Sequence, residues 1–413
     1  MTRQPTENRF ADKADVTALL GAFCLFLSAV EYMLPKPMPF MRLGIANLPI
    51  LLAVDILPFS WFLVLVLVKV VGMSVISGSL FSFIALFSLI GTLTAALVMW
   101  AARKAAGRHI SQIGVSILGA LTSNAAQILI ARYLVFGQAA WLIAPLFLVM
   151  GLATGTGLGI FAEHFAFRSR WYTMALGRPC RAPEADGKPF MKKTEVPLAK
   201  KAGAEARIRR RQRFEAYFSP WTAALGGSAL ALIFLFERSL AVKSALFVFF
   251  IIAVLFAGKK FSFLAMLAIS SGIVLANLLV PSGRVLARLG PLVVTELALT
   301  EGIIKALTFE GLMLVSKASI MPGLKLPGRF GAIVASSFLY YDRIFEYKGR
   351  IKAATLSRDA DAMMTEVWEN LNTDSARAQA GCPSFASAPK ARAGYLILAI
   401  CVAAAGFAAF LVP

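Results

Sequence analysis

The sequence predicts an all-α, polytopic membrane protein in which two groups of membrane-spanning helices flank a basic linker. Of the 413 residues, 58% are hydrophobic and only 15% are charged, and the mean hydropathy is +0.73. Apolar runs of roughly twenty residues recur along the chain, and a helix of that length crosses a hydrocarbon core of about 30 Å. Lysine and arginine gather between these runs, as they do in the cytosolic loops of membrane proteins.

The apolar runs define the domain organisation. Residues 1–15 form a polar cytosolic lead, 16–165 a first group of six spans, 166–218 a basic linker, and 219–413 a second group of five spans with charged amphipathic segments. The predicted spans of the first group are 16–34, 42–57, 59–76, 79–102, 110–135 and 140–162. Those of the second group are 220–236, 241–257, 261–281, 292–321 and 394–412.

The formal net charge of +20 is concentrated in the segments between spans, above all in the dense run 207–213. Such a run is expected to stay in the cytoplasm and to lie on anionic lipid headgroups. Six preceding spans then place the N-terminus in the cytosol and the turn 35–42 outside, in a multi-pass protein of the cytoplasmic (inner) membrane. We therefore expect membrane lipids, and not nucleic acid, as partners of the basic segments.

The four cysteines show neither metal-ligand spacing nor a disulfide framework. They are Cys24, Cys180, Cys382 and Cys401. Cys24 and Cys401 lie in apolar runs and are expected to act as small hydrophobic residues. We accordingly predict no metal site and no bound cofactor.

The sequence also lacks the motifs of two enzyme classes. Prenyl transfer needs clustered carboxylates that hold magnesium on a diphosphate, whereas Asp359 and Asp361 stand in a stretch that we assign to a solvated helix. Gly258-Lys259-Lys260 lacks the upstream glycine of an ATP-binding loop. We therefore predict no catalytic residue in this chain, and any ATPase that drives it would be another protein.

The most distinctive segment runs from Glu31 to Asn47, between the first two spans. Three prolines stiffen it, and it brings Glu31, Arg42 and Asn47 to one end of the spans. An ionisable residue at such a depth is a candidate for a functional site, because its burial is costly without a partner or ligand. The alternative is a simple connecting turn in which Glu31 and Arg42 pair with each other or reach water.

Polar residues also lie inside two other spans, the fifth and the third. Asn124 and Gln127 are three residues apart in the fifth span, so they project from one helical face. That face either lines a cavity or makes hydrogen bonds to another helix. Lys69, inside the third span, is expected to face a polar interior.

Ala18 and Ala22 in the first span are four residues apart, a spacing at which small residues let a neighbouring helix approach closely. They form a candidate packing surface, although ordinary packing within the first group would also account for them.

Several blocks in the first group of spans together resemble a known family. They are Glu31, Pro35, Pro39, the block Arg42-Leu43-Gly44-Ile45-Ala46-Asn47, and Gly114-Val115-Ser116-Ile117-Leu118-Gly119 with Asn124 and Gln127. Over roughly residues 14–165 the chain resembles the Gx transporter family, also labelled heptaprenyl diphosphate synthase component I. That family more often has lysine at the position of Arg42 and histidine at that of Ser123. It is similar to the six-helix, substrate-binding S components of energy-coupling factor transporters.

The second group of spans, roughly residues 220–413, resembles the T component of those transporters. Leu299-Thr300-Glu301-Gly302 opens a fourth span, and Gly323-Leu324-Lys325-Leu326-Pro327 leads into a charged helical region before the last span. The resemblance implies a five-span T-component-like block with cytosolic amphipathic helices that dock on ATPase subunits. Arg350 and Arg358 are the candidate docking residues, although the usual Ala-Arg-Gly pattern is absent.

These resemblances imply an uptake transporter with separate ATPase subunits. Its S-component-like bundle would bind a small vitamin-like or anionic substrate through Glu31, Arg42, Asn47, Asn124 and Gln127, and Ala18 and Ala22 would pack against the T-like half. Two other functions stay open. One is a non-catalytic subunit that assists heptaprenyl or polyprenyl diphosphate synthesis, and the other is a membrane scaffold whose basic linker binds lipid.

Overall fold

The computed structural model describes residues 13–33, 44–177, 210, 212–237, 239–259, 262–289, 292–321, 324, 326–346, 357–368 and 391–411. Within these residues the fold is helical apart from one β-hairpin. The predicted outer turn 35–42, most of the basic linker, Cys180 and Cys382 lie outside the described residues.

The N-terminal bundle consists of the helices up to residue 175. They are α1 (Lys13–Met33), a 3-10 turn (Ile45–Asn47), α2 (Leu48–Ile56), α3 (Phe59–Ser77), α4 (Phe83–Ala106), α5 (Gln112–Ala131), a π-helical turn (Arg132–Phe136), α6 (Ala140–Arg168) and α7 (Arg170–Ala175). The helices begin and end close to the predicted spans, because prolines and glycines interrupt the apolar runs there. Gly78, for example, ends α3 in the left-handed conformation.

The C-terminal region contributes five elements of a second bundle and two further helices. The bundle contains α8 (Pro220–Phe236), α9 (Leu240–Phe256), α10 (Phe263–Leu278), α11 (Glu296–Ser319) and the last helix, α14 (Ala391–Leu411). The two further helices, α12 (Gly328–Glu346) and α13 (357–368), lie between α11 and α14 in sequence. We call α8–α11 with α14 the C-terminal bundle.

Four described stretches are long and apolar enough to cross a membrane: Lys13–Glu31, Phe59–Ser77, Phe83–Ala106 and the continuous stretch Gln112–Arg168. Shorter apolar helices occur at Ile45–Ile56, Pro220–Phe236, Leu240–Phe256, Phe263–Leu278 and Gly394–Phe407. The chain is therefore a helical protein of the membrane type. The layout of six plus five spans stays a prediction.

A β-hairpin joins α10 to α11, in a region where the sequence predicts a span from residue 292. Strand β1 (Val285–Leu289) pairs antiparallel with β2 (Leu292–Thr295), and α11 begins only at Glu296. The predicted start of this span, residue 292, is thus wrong: residues 292–295 form a strand, and the helix begins four residues later. An apolar run rich in β-branched residues is compatible with either a strand or a helix, so hydropathy alone does not separate the two.

One hydrophobic core joins the N-terminal bundle to α12 and α13. It contains Leu19 and Phe62 of the N-terminal bundle, Ile344 of α12 and Met363 of α13. Helix α12 lies along α1, where a Cβ atom on Gly21 would stand only 2.8 Å from Ser337 Oγ. The small residue therefore allows the two helices to approach closely.

A second core joins the two bundles at the end of the N-terminal bundle that carries residues 78–82 and 132–139. We call this end the turn end. The Phe81 N–H donates to Ser316 Oγ at 3.0 Å, and Phe83 packs on Phe309 with ring centroids 6.2 Å apart. On the neighbouring turn, Asn277 Nδ2 donates to the Val135 carbonyl at 3.1 Å.

The two turns contact α11 at different heights. A Cβ atom on Gly137 would stand 3.5 Å from Lys305 Nζ, whereas Phe81 contacts Ser316. Lys305 and Ser316 are eleven positions apart, which is about 16 Å along a helix. Because both turns belong to one end of the N-terminal bundle, that end lies along the side of α11.

The opposite end of the N-terminal bundle is fastened to α13. Asp361 accepts hydrogen bonds from Ser169 Oγ at 2.5 Å, from the Trp171 N–H at 3.0 Å and from the Arg170 N–H at 3.1 Å. The assignment of Asp361 to a solvated helix is wrong. Its carboxylate instead caps α7, where unpaired N–H groups favour a negative charge.

Candidate functional site

Glu31 lies near the end of α1 and is almost completely buried, with 6% of its surface exposed. Its two carboxylate oxygens accept hydrogen bonds from the backbone N–H groups of Gly44, at 3.3 Å, and Ala46, at 3.4 Å. Gly44 has φ +80°, a left-handed conformation that glycine adopts without strain. Glu31 therefore caps the 3-10 turn that leads into α2 and fixes the start of that helix against α1.

Lys69 lies in the middle of α3 and is also buried, with 4% exposed. Its ammonium group donates to the side-chain oxygen of Asn47, the last residue of the 3-10 turn, and to Thr92 Oγ1 on α4 at 3.3 Å. Asn47 and Thr92 thus hold the lysine between α2 and α4. The lysine faces the bundle interior, as its place in an apolar run predicts.

Hydrogen bonds join Lys69 to Asn47 and Thr92, and Glu31 binds the backbone of the 3-10 turn that ends at Asn47. We call these four residues the four-helix cluster, because they come from α1, the start of α2, α3 and α4. It contains a carboxylate, an amide, an ammonium group and a hydroxyl, so it can both donate and accept hydrogen bonds. Two opposite charges buried in an apolar bundle are costly, and such residues in membrane helices commonly mark substrate or ion pathways.

Asn124 and Gln127 both lie on the buried side of α5, but they contact different neighbours. Asn124 Nδ2 donates to the Phe147 carbonyl of α6 at 2.6 Å. Of the two roles that the sequence allows for this face, Asn124 therefore makes the hydrogen bond to another helix. Gln127 Nε2 donates to Ser123 Oγ at 2.9 Å and lies against Gly91 of α4. Gln127 therefore packs against α4 at Gly91, whereas Asn124 packs against α6.

Two predicted site residues, Arg42 and Arg350, lie outside the described residues. Arg358 is exposed on α13. Two members of the four-helix cluster, Lys69 and Thr92, were not among the predicted binding residues. Lys69 carried a signal, because a lysine inside an apolar run is rare, but nothing in the sequence distinguishes Thr92 from other membrane threonines.

Ala18 and Ala22 are buried in α1, with 1% and 0% exposed. Both belong to the core that also contains residues of α3 and α12. Gly21, between them in sequence, makes the close approach to Ser337 of α12.

The end of the N-terminal bundle opposite the turn end carries a different polar network, centred on Asp55. Its carboxylate pairs with Arg103 Nε at 2.9 Å and accepts from Gln112 Nε2 at 2.7 Å and from the Tyr172 hydroxyl at 3.4 Å. These residues tie the ends of α2 and α4 to α5 and α7, and we regard the network as structural. Within the described residues, no group of three His, Cys, Asp or Glu side chains is placed to hold a metal ion.

Comparison with family models finds two matches, and the first covers about a third of the chain. Residues 20–165 match the family model of heptaprenyl diphosphate synthase component I. The N-terminal bundle is similar to component I. This confirms the resemblance to that family seen in the sequence. We call residues 20–165 the component I region, and it contains all four residues of the four-helix cluster.

The second match covers about a quarter of the chain and is to a family without an assigned role. Residues 221–321 match a domain of unknown function, DUF8519, which covers α8 to α11 and stops before α12. Neither a curated protein nor a solved structure matches the chain. The component I match spans about a third of the chain, so it describes the N-terminal bundle alone.

Proposed function

We propose that this protein is a membrane uptake transporter of the energy-coupling factor type. Its component I region binds a small, vitamin-like or anionic substrate, and its C-terminal half couples binding to separate ATPase subunits. The proposal extends the sequence resemblance to S and T components, and one chain then carries both membrane parts of the transporter.

The four-helix cluster is the observation that carries this proposal. An ammonium group buried among α2, α3 and α4 offers a charge-assisted donor to an anionic or carbonyl group of a substrate. Glu31, already fixed by two backbone N–H groups, offers an acceptor at the neighbouring helix end. Gln127 offers a further amide where α5 packs against Gly91 of α4, and Arg42 would add a second cation from the segment 34–43.

The proposed coupling role rests on what α12 and α13 contact. Both helices share a core with the component I region, and α13 also presents an exposed Arg358. A cytosolic ATPase that moved these helices would act directly on the substrate-binding bundle. Because the sequence lacks an ATP-binding loop, the nucleotide must bind to another protein.

A second function is favoured by the description of the matched family. On this alternative the chain is a non-catalytic membrane subunit that assists heptaprenyl or polyprenyl diphosphate synthesis by a separate enzyme. The four-helix cluster would then hold the helices together or receive the diphosphate group.

The experiment that separates the two is purification of the intact protein in mild detergent, with identification of the proteins that copurify. The transporter proposal predicts a pair of nucleotide-binding ATPase subunits whose recovery falls in Arg358→Glu, while Arg168→Glu, a charge reversal at the exposed end of α6, leaves it unchanged. A soluble prenyl diphosphate synthase without any ATPase would overturn the proposal in favour of the second function.

A further inference from the structure

We propose that Arg132, Tyr133 and Trp141 form a binding site for the phosphate of an anionic phospholipid, whose acyl chain lies along the exposed apolar face of α6. This site stands at the turn end and is separate from the four-helix cluster. It does not depend on the proposed transport function.

The guanidinium group of Arg132 lies between two aromatic rings. Its Cζ atom is 5.4 Å from the ring centroid of Trp141 and 5.7 Å from that of Tyr133. Both rings stand at the surface, with 50% of Trp141 and 75% of Tyr133 exposed. Cation–π contacts of this kind hold a guanidinium in place while leaving the edge of its plane open.

Arg132 has its hydrogen-bonding capacity available for a ligand. In the part of the chain that the structure describes, no carboxylate pairs with it and no hydrogen bond uses its five N–H donors. A planar guanidinium matches the geometry of a phosphate bidentately. An arginine flanked by exposed tyrosine and tryptophan is also typical of the membrane interface, where headgroup phosphates lie.

The face of α6 next to this arginine is apolar and exposed. It begins at Leu142 and continues through Leu146 and Val149 to Leu152, with 64%, 42%, 63% and 47% exposed. Residues at this three-to-four spacing lie on one side of a helix. The ten positions from 142 to 152 extend about 15 Å, which is half the thickness of a hydrocarbon core of about 30 Å and so the reach of one acyl chain.

The phosphate group and the apolar face together select the ligand. Free phosphate would use Arg132 but not α6, and a neutral lipid would use α6 but not the charge of Arg132. A phospholipid uses both, and an anionic headgroup such as that of phosphatidylglycerol carries no cation that would oppose the arginine. One arginine near an anionic membrane surface gains about 1 kcal/mol of electrostatic attraction, which predicts roughly a fivefold preference for anionic over zwitterionic lipid.

The test uses the full-length protein in vesicles of phosphatidylcholine that contain brominated phosphatidylglycerol or brominated phosphatidylcholine as quenchers of tryptophan fluorescence. The signal of Trp141 is obtained as the difference between the wild type and Trp141→Phe, because five other tryptophans contribute. We expect brominated phosphatidylglycerol to reach half-maximal quenching of Trp141 at a mole fraction about fivefold lower than that needed with brominated phosphatidylcholine. Arg132→Gln should abolish that preference.

Two controls make the result decisive. Arg168→Gln removes an exposed arginine at the other end of α6 and should leave the preference for phosphatidylglycerol intact. Arg132→Lys keeps the charge and should retain part of that preference, and it replaces Arg132→Gln as the test variant if the glutamine variant does not fold. Equal quenching by the two lipids, or an unchanged preference in a folded Arg132→Gln protein, would overturn the proposal. Displacement of phosphatidylglycerol by millimolar inorganic phosphate would instead assign the site to free phosphate.

Discussion

At the level of single residues, the structure gives small side chains and buried charges distinct roles. Gly21 sets the distance between α1 and α12, and Gly91 leaves room for Gln127 beside α4. Lys69 and Glu31 instead bring charge into the interior, where each depends on specific partners. Substitutions at these two kinds of position should therefore have different consequences, the first for packing and the second for ligand binding.

Gly21→Ala should destabilise the protein by about 1–3 kcal/mol, because overpacking forces side chains or backbone to shift. The added Cβ atom would stand 2.8 Å from both Ser337 Oγ and Val68 Cγ1. The measurement is thermal unfolding of the purified protein in detergent.

Gly157→Ala is the matched control. This glycine lies in α6, and a Cβ atom there would meet nothing within 4 Å. Alanine is favoured over glycine inside a helix, so the control should be neutral or slightly stabilising. Equal unfolding temperatures for the two variants would show that α1 and α12 do not pack at this distance.

The sequence predicts part of the candidate site at this level. Glu31, Asn47 and the interior position of Lys69 follow from polar residues in apolar surroundings, which are costly enough to be noticed. The partners of Lys69 do not follow, since Thr92 is selected only by the register of α3 against α4. Asn124 and Gln127 were predicted to act together, but α5 lies between two helices and presents one amide to each.

At the level of elements, the short helix α7 shows how the two ends of the N-terminal bundle are held differently. Its first N–H groups donate to Asp361 of α13, and Trp171 is completely buried in the shared core. Tyr172 also reaches Asp55 at the end of α2. The helix therefore connects the end of the N-terminal bundle opposite the turn end to α13, whereas the turn end contacts α11 mainly through apolar side chains.

Asp361→Ala should loosen α7 selectively. Loss of a capping side chain costs about 0.5–2 kcal/mol, and here three donors lose one acceptor group. Amide hydrogen exchange in residues 170–176 should become faster, while exchange in α5 stays unchanged. Glu366→Ala, on the same helix α13, is the control and should not alter α7. Unchanged protection of α7 in Asp361→Ala would mean that the carboxylate does not cap it.

The apolar runs predict the positions of most helices but not the small elements between them. The hairpin Val285–Thr295 was assigned partly to a span, because an apolar run with valines fits a strand as well as a helix. The π-helical turn at Arg132–Phe136 also has no sequence signature. It is stabilised from outside, by the hydrogen bond from Asn277 to the Val135 carbonyl.

At the level of the whole molecule, the turn end of the N-terminal bundle lies along α11 while α12 lies along α1. The sequence could not predict this arrangement. Each bundle has its own apolar spans, and the contacts that join them connect residues more than a hundred positions apart, such as Phe81 with Ser316 and Val135 with Asn277. Hydropathy and spacing carry no information about such distant pairs.

A disulfide between cysteines at positions 81 and 316 should form readily in a variant from which the four native cysteines have been removed. The Phe81 backbone N–H lies 3.0 Å from Ser316 Oγ, so the two residues are direct neighbours, and a disulfide joins Cα atoms about 4.4–6.8 Å apart. With a protease site inserted in the linker, between residues 178 and 209, an oxidised protein should stay as one band on a denaturing gel after cleavage.

The control pair joins position 81 to position 358, on the helix that packs at the opposite end of the N-terminal bundle. It should give two fragments under the same oxidation. Crosslinking of the control pair and not of 81 with 316 would contradict the placement of the turn end against α11.

The measurement that tests the central claim most directly is the amount of small molecule retained by the purified protein, determined by mass spectrometry for the wild type and for Lys69→Met. The proposal predicts a retained polar or anionic compound whose occupancy falls about tenfold or more in Lys69→Met, because a hydrogen bond to a charged group contributes about 1.5–3 kcal/mol. Lys104→Met, which removes an exposed lysine of α4, should retain it fully. Equal retention in folded wild-type and Lys69→Met protein would contradict a substrate-binding role for the four-helix cluster.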